Sequence, residues 1–97
     1  MATKIEPIHP GEVLAEDFMK PRRLTANRLA LDLHIPANRL SEIIRGRRSI
    51  SADTALRLGR YFDTSAEMWM GLQAEYDLRK TKAEIGKQVE REVRVAG

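Results

Sequence analysis

The chain has 97 residues, a hydrophobic fraction of 42% and no cysteine. This length suits one domain with a single core, and the missing cysteine excludes disulfides and thiolate metal sites. Only 5% of the residues are aromatic, so we expect aliphatic side chains packed between helices. The apolar runs are too short for a membrane span and the N-terminus lacks the apolar segment of a signal peptide. We therefore expect a cytoplasmic protein.

The positive charge is concentrated in the middle of the chain and consists there of arginine. The net charge is +3 overall, but residues 22–60 carry nine arginines against three acidic residues, a local net charge of +6. The flanking segments 1–21 and 61–97 have net charges of −2 and −1. Guanidinium groups grip phosphate oxygens bidentately, so this excess favours a surface that faces nucleic-acid phosphates. A solvated basic face is the alternative.

The first third of the chain predicts a loose arm followed by two helices. Residues 1–8 form the arm. A first helix begins at Pro10, which suits the first helical turn, and ends at Pro21. Thr25 is the predicted N-cap of a second helix, which is interrupted at His34 by a turn of about three or four residues.

A third helix is predicted to begin at Pro36 or Ala37. It ends at Gly46, a residue type that favours the left-handed C-cap conformation. Its apolar residues recur at helical spacing, so they should face the core together. These buried residues are Leu40, Ile43 and Ile44.

Two more helices complete the predicted all-α fold. Ser51 caps the fourth helix, and Thr64 or Ser65 opens the fifth. Residues 79–97 are rich in charge with sparse apolar positions, which fits a solvated helix or a frayed tail.

The third helix has the residue types of a DNA-reading helix on its outer side. If its apolar side faces the core, Pro36, Arg39 and Glu42 project together, with Asn38 beside them. Arginine can pair bidentately with guanine and asparagine with adenine, and a carboxylate can accept from cytosine. We predict Arg39 as the main base reader, followed by Asn38 and Glu42. The alternative for Glu42 is a structural role in orienting Arg39 or Arg45.

Arginine and hydroxyl residues around this helix are predicted to contact the phosphate backbone. Arginines beside a glycine turn at the end of a groove helix supply affinity and register rather than sequence choice. Hydroxyls near helix starts can also hold a phosphate, although helix capping alone would explain them equally well. The predicted phosphate contacts are Thr25, Arg45, Arg47, Arg48, Ser49 and Ser51.

Other chemistries lack the residues that they need. His9 and His34 are far apart, with no cysteine and no second histidine at metal-binding spacing, so we expect no metal site. No glycine-rich phosphate loop or nucleophile elbow is present. We therefore expect no enzyme and no cofactor.

Three motifs carry a family resemblance. His9–Glu12 reads HPGE, Ala52–Leu58 reads ADTALRL and Trp69–Leu78 reads WMGLQAEYDL. With the helix-turn-helix segment between them, they resemble the HigA antitoxins, within the lambda-repressor-like (XRE) class. The resemblance covers roughly residues 9–78. It implies a five-helix lambda-repressor-like domain over that range, followed by a charged C-terminal helix or tail over residues 79–97.

The resemblance also implies a function. It implies a homodimer that binds a palindromic operator in double-stranded DNA ahead of its own operon and represses it. It further implies neutralisation of a HigB/RelE-like toxin, an mRNA endonuclease, by protein–protein binding. The base-reading positions of the family match Pro36, Arg39 and Glu42. A free-standing transcriptional regulator of the same fold, without a toxin partner, is the alternative.

The fifth helix carries more large apolar area than a domain of this size needs to bury, which independently favours a dimer. The alternative is that all of these residues belong to the core. The predicted dimer contacts are Met68, Trp69, Leu72 and Tyr76. The toxin surface is left open between the N-terminal arm with its first helix and the tail, where Ile85, Val89 and Val93 recur every four residues. The alternative for the tail is that it closes over the dimer.

Overall fold

A computed structural model describes residues 6–97; residues 1–5 of the predicted arm lie outside this range. The described residues form helices and contain no strand, which confirms the all-α prediction. The first helix consists of α1 (Pro10–Val13), a π-helical segment (Leu14–Met19) and a 3-10 turn (Lys20–Arg22). It is followed by α2 (Ala26–Leu33), α3 (Ala37–Ile44), α4 (Ala52–Phe62) and α5 (Ala66–Glu92).

The first helix extends slightly past its predicted end. Pro21 lies inside the closing 3-10 turn, and Arg23 ends the helix with a left-handed backbone at φ 51°. Proline has no N–H to donate, so it is tolerated here where the regular hydrogen-bond pattern is already changing to a tighter turn.

The helix-turn-helix is built by local capping, largely as predicted. Thr25 Oγ1 accepts a hydrogen bond from the N–H of Arg28 at 3.2 Å and so caps α2. His34 ends α2 in the left-handed conformation at φ 58°. Pro36, with extended backbone, is the N-cap of α3. These short signals turn the chain sharply between the two helices.

The core lies between the first helix, α2, α3, α4 and the beginning of α5. Most of it is aliphatic, as expected, but an aromatic residue lies at its centre. Trp69 is 0% exposed, its ring centroid lies 5.0 Å from that of Phe18, and its Nε1–H donates to Thr64 Oγ1 at 2.9 Å. The other large, fully buried side chains include Leu14, Leu29, Leu40, Ile43, Ile50 and Leu58.

The helix α5 extends well beyond the core, because its buried residues lie near its beginning. Ser65 caps it by accepting from the N–H of Met68 at 3.0 Å, and it continues without interruption through Glu92. The segment 79–92 is therefore a solvated helix and not a frayed tail. Most side chains of this segment are exposed, so helical residues project beyond the core.

The crossing of α1 over the end of α3 depends on a glycine. A Cβ atom at Gly11 would lie 1.8 Å from the carbonyl oxygen of Ile43, far inside van der Waals contact. The neighbouring atom belongs to the backbone of α3, so it cannot move aside by a change of rotamer. Only glycine permits this close approach.

We expect Gly11→Ala to lower the free energy of unfolding by roughly 1–3 kcal/mol, because the added methyl group must push the two helices apart. The matched control is Gly71→Ala, since a Cβ there meets nothing within 4 Å. The control should be neutral or stabilising by up to about 1 kcal/mol, because alanine is the better helix former. Urea unfolding followed by circular dichroism measures both, and an unchanged Gly11→Ala midpoint would contradict the close crossing.

Candidate nucleic-acid interface

The helix α3 presents its polar side to solvent because its apolar side is held by the core. Leu40 and Ile43 are fully buried, as predicted, whereas Ile44 is only partly buried and packs against the core. The predicted base readers share the outer surface. Pro36 and Asn38 are exposed, and the side chains of Arg39 and Glu42 are 33% and 44% exposed.

Arg39 lies beside a carboxylate of the neighbouring helix. Its Nη1 is 3.6 Å from Oδ1 of Asp53, which is in the first turn of α4. The same oxygen accepts from Nε of Arg57 at 2.8 Å. The hydrogen bond from Arg57 is the main reason that the pKa of Asp53 lies below its usual value. Asp53 is thus charged at neutral pH, and its carboxylate pairs with the guanidinium groups of both Arg39 and Arg57.

Glu42 pairs with an arginine that the sequence analysis assigned to phosphate. Both Nε and Nη2 of Arg48 lie 2.8 Å from Oε1 of Glu42. The predicted structural alternative named Arg39 or Arg45 as its partner, and both are wrong in this structure. The chain reverses at Gly46, which brings Arg48 back alongside α3, and sequence spacing alone does not show this.

The segment from Arg45 to Ser49, here called the arginine hook, follows α3 directly. Gly46 has φ 74°, which confirms the predicted left-handed conformation; the C-cap itself is Arg45, one residue earlier. The N–H of Arg47 donates to the carbonyl oxygen of Glu42 at 2.8 Å, which closes the helix end. All residues of the hook are exposed. Part of the hook and α3 meet around one shallow, open depression, lined by Arg39, Arg48, Ser49, Ser51, Asp53 and Thr54.

Both helix-start hydroxyls act as caps. Thr25 caps α2, and Ser51 Oγ accepts from the N–H of Thr54 at 3.3 Å. Both residues are also exposed, so capping and phosphate contact are compatible, and their phosphate contact remains a prediction.

The helix-turn-helix family profile matches residues 16–69, more than half of the chain. The chain belongs to this family. It is 51% identical over 72 residues to virulence-associated protein I of Dichelobacter nodosus, a match covering 74% of this chain and 67% of that protein. The resemblance to the HigA antitoxins is confirmed by solved structures.

Two of these structures were solved with DNA. Antitoxin HigA of Pseudomonas aeruginosa, with the higBA promoter, is 49% identical with a TM-score of 0.89, covering 91% of this chain and 96% of that one. A second structure from Pseudomonas aeruginosa, solved in complex with its operator DNA, is 46% identical with a TM-score of 0.91, covering 96% of this chain and 98% of that one. The expected similarity to DNA-binding HigA antitoxins is therefore confirmed for this member of the helix-turn-helix family.

Gln73, a residue that the sequence analysis did not single out, attaches the hook to α5. It is buried, and its Oε1 accepts from the N–H of Ile50 at 2.8 Å. Its Nε2 donates to Ser49 Oγ at 3.3 Å and to Asp77 Oδ1 at 2.9 Å. The signal available in the sequence was a polar residue on the apolar face of a predicted helix. The hydrogen bond between Gln73 and Ile50 joins residues 23 positions apart, which no local pattern predicts.

His9 is a second residue whose role became clear only in the structure. Its Nδ1 accepts from the N–H of Gly11 at 2.9 Å, so the ring caps α1. The ring packs edge-on against Tyr76 with centroids 4.8 Å apart. Burial lowers the pKa of His9 below 6.5, against the opposing effects of the Asp77 carboxylate and a backbone hydrogen bond with Arg48. The fold therefore favours the neutral ring.

We expect His9 to make this protein less stable as the pH is lowered. The unfolded ring binds a proton near pH 6.5 and the folded ring only at lower pH. The free energy of unfolding is thus highest above this pH and decreases as pH falls between the two pKa values. His9→Asn keeps a capping acceptor but does not titrate. Urea midpoints at about pH 7.5 and about pH 5.5 should drop more for the wild type than for His9→Asn; equal drops would contradict this role.

The predicted dimer contacts require one correction. Trp69 is buried in its own chain, so its assignment to the dimer interface is wrong. Large apolar residues on one helix are equally compatible with core and interface, and only the packing around Trp69 distinguishes them. Met68 and Leu72 are partly buried against the same core, and Tyr76 is partly buried beside His9. Their role in a dimer stays a prediction.

Residues 6–97 contain neither a metal-binding cluster nor a helix that could span a membrane. No cluster of three or more histidine, aspartate or glutamate side chains that could hold a metal ion occurs there. Within the same range, every helix is too short or too polar to span a bilayer.

Proposed function

We propose that this chain is the antitoxin of a type II toxin–antitoxin module. In this role it binds operator DNA as an autorepressor and neutralises a HigB/RelE-like mRNA endonuclease by direct binding. The role is not enzymatic and is carried out in the cytoplasm, where the DNA is. The observation that carries the DNA-binding part is the depression at which Arg39 of α3 meets Arg48, Ser49 and Ser51.

In the proposed complex α3 lies in the major groove. The outer side chains Pro36, Asn38, Arg39 and Glu42 face the base edges, with Arg39 as the main reader. The hook and the two capped helix starts contact the phosphates on either side. These phosphate contacts are Thr25, Arg45, Arg47, Arg48, Ser49 and Ser51.

We expect Arg39→Ala and Arg47→Ala to weaken DNA binding in different ways. Loss of Arg39 should relax selectivity at one base pair, by roughly 1–3 kcal/mol of discrimination. Loss of Arg47 should weaken binding to all duplexes alike and flatten the dependence on log salt concentration by about one unit. Titrations of the operator and of an unrelated duplex at several salt concentrations measure both effects.

Arg91→Ala is the matched control for these variants, because it removes the same charge near the far end of α5. It should change neither selectivity nor, by more than a small amount, the salt slope. Unchanged operator selectivity in Arg39→Ala would mean that α3 does not read the bases as proposed.

A homodimer fits the outward face of α5. Leu78, Ile85 and Val89 lie seven and four residues apart, so they form one stripe, and Leu78 is 67% exposed. Leu78 follows Trp69 by about two and a half helical turns, so this stripe points away from the core. It exposes more apolar surface than Met68, Leu72 and Tyr76, which remain secondary dimer contacts. Pairing two chains would give two recognition helices about 34 Å apart for a palindromic operator.

We expect Ile85→Glu to dissociate this dimer, because an unpaired carboxylate would be buried in an apolar interface. Gln88→Glu adds the same charge on the flank of the same helix and should leave the dimer intact. Sedimentation of both variants at micromolar concentration reads the oligomeric state directly. A dimeric Ile85→Glu protein would remove the stripe from the interface.

The toxin partner separates the proposal from its alternative, a free-standing regulator. Co-expression of this chain with the product of the adjacent gene should give a complex that survives affinity and size-exclusion purification. We expect the toxicity of that product to be suppressed only by variants of this chain that retain binding. A chain that binds its operator but never retains the neighbouring protein would favour the free-standing regulator. Deleting residues 1–8 tests the N-terminal arm as the toxin surface. Deleting residues 79–97 also removes Ile85 and Val89 of the proposed dimer stripe, so loss of the complex assigns the toxin surface to the tail only if Ile85→Glu retains the complex.

A further inference from the structure

Asp53 lies where DNA would approach, although its charge opposes DNA. Its side chain is 58% exposed and it lines the depression shared with Arg39, Arg48 and Ser51. A carboxylate at this place repels the phosphate backbone. Affinity for DNA therefore does not explain it, and another role is needed.

The carboxylate is itself held in place from the core side. Arg57 donates through Nε to Asp53 Oδ1 at 2.8 Å and through Nη1 to the carbonyl oxygen of Leu33 at 2.9 Å. Leu33 is the last residue of α2 and is buried. One guanidinium thus connects the rigid end of α2 to Asp53, and Asp53 lies 3.6 Å from Arg39 Nη1.

We propose that Asp53 is a specificity-determining positioning residue that directs the guanidinium of Arg39 toward one base pair. This inference rests on the proposed function. Arginine has many rotamers, and fixing them before binding removes part of the ordering cost of a specific contact. A bidentate contact with guanine needs the planar fork in one orientation. In this role Asp53 does not contact the base. Its carboxylate accepts from Arg57, which also donates to the carbonyl oxygen of Leu33, so the carboxylate stays in place when Arg39 moves.

A purely structural role makes a different prediction. As an acidic residue in the first turn of α4, Asp53 also interacts favourably with the helix dipole and with Arg57 four residues later. If it served only these purposes, its loss would lower stability and weaken binding to every duplex by the same factor. A positioning residue lowers selectivity at one base pair, while removal of its negative charge leaves binding to unrelated DNA unchanged or stronger.

The test uses the full chain and its own upstream operator, a set of operators with single base-pair changes, and an unrelated duplex of equal length. Arg39→Ala first identifies the base pair that Arg39 reads. At that base pair Asp53→Asn should lose roughly threefold to tenfold in discrimination, with affinity for the unrelated duplex unchanged or higher. Asp63→Asn is the matched control, because it removes the same charge at the C-cap of α4, a position with left-handed backbone that asparagine tolerates.

Two further variants make the result decisive. Asp53→Asn in an Arg39→Ala background should change discrimination no further, since the side chain to be positioned is absent. Arg57→Gln should reproduce the loss, since Asp53 is then no longer held, and it serves if Asp53→Asn does not fold. Unchanged discrimination, or an equal loss on all duplexes, would overturn the positioning role. A wild-type chain without any preference for its operator would overturn the proposed DNA-binding function as well.

Discussion

The burial of one side of α3 is the constraint on which the rest of the structure depends. Leu40 and Ile43 are fully enclosed, and the carbonyl of Ile43 lies so close to Gly11 that no side chain fits between the two helices. Rotation of α3 about its axis would expose these apolar groups, which costs free energy in proportion to their area. The direction of Arg39 and its neighbours therefore follows from hydrophobic packing on the opposite side.

A second set of contacts connects the arginine hook to the long helix α5. Gln73 accepts from the N–H of Ile50 and donates to Ser49, while His9 caps α1 and packs against Tyr76. A buried polar group without a partner costs more than a hydrogen bond gains. The hook is thus held to α5 by groups that must remain paired. The helix α5, on which we propose dimerisation, therefore contacts the proposed phosphate-facing surface directly.

The free protein satisfies the charges of its own recognition surface. Arg48 pairs with Glu42, and Arg39 lies beside Asp53. The side chains of both pairs are at least 33% exposed, so each pair contributes little to stability. The Arg48–Glu42 pair can therefore exchange with DNA at low cost. Under the proposed function, the two carboxylates reduce attraction to unrelated phosphate, which favours selectivity over raw affinity.

The local features of this protein follow from short stretches of its sequence. The caps Thr25, Ser51 and Ser65, the left-handed turn at Gly46 and the outward polar side of α3 depend on signals within a few residues, so spacing predicts them. The packing of the helices was needed to show that Trp69 is core, that Glu42 pairs with Arg48, that Gln73 bonds to Ser49 and Ile50, and that Asp53 lies beside Arg39. These contacts join separate elements, often more than ten residues apart. Their partners are chosen by how the helices pack, and no local pattern encodes that geometry.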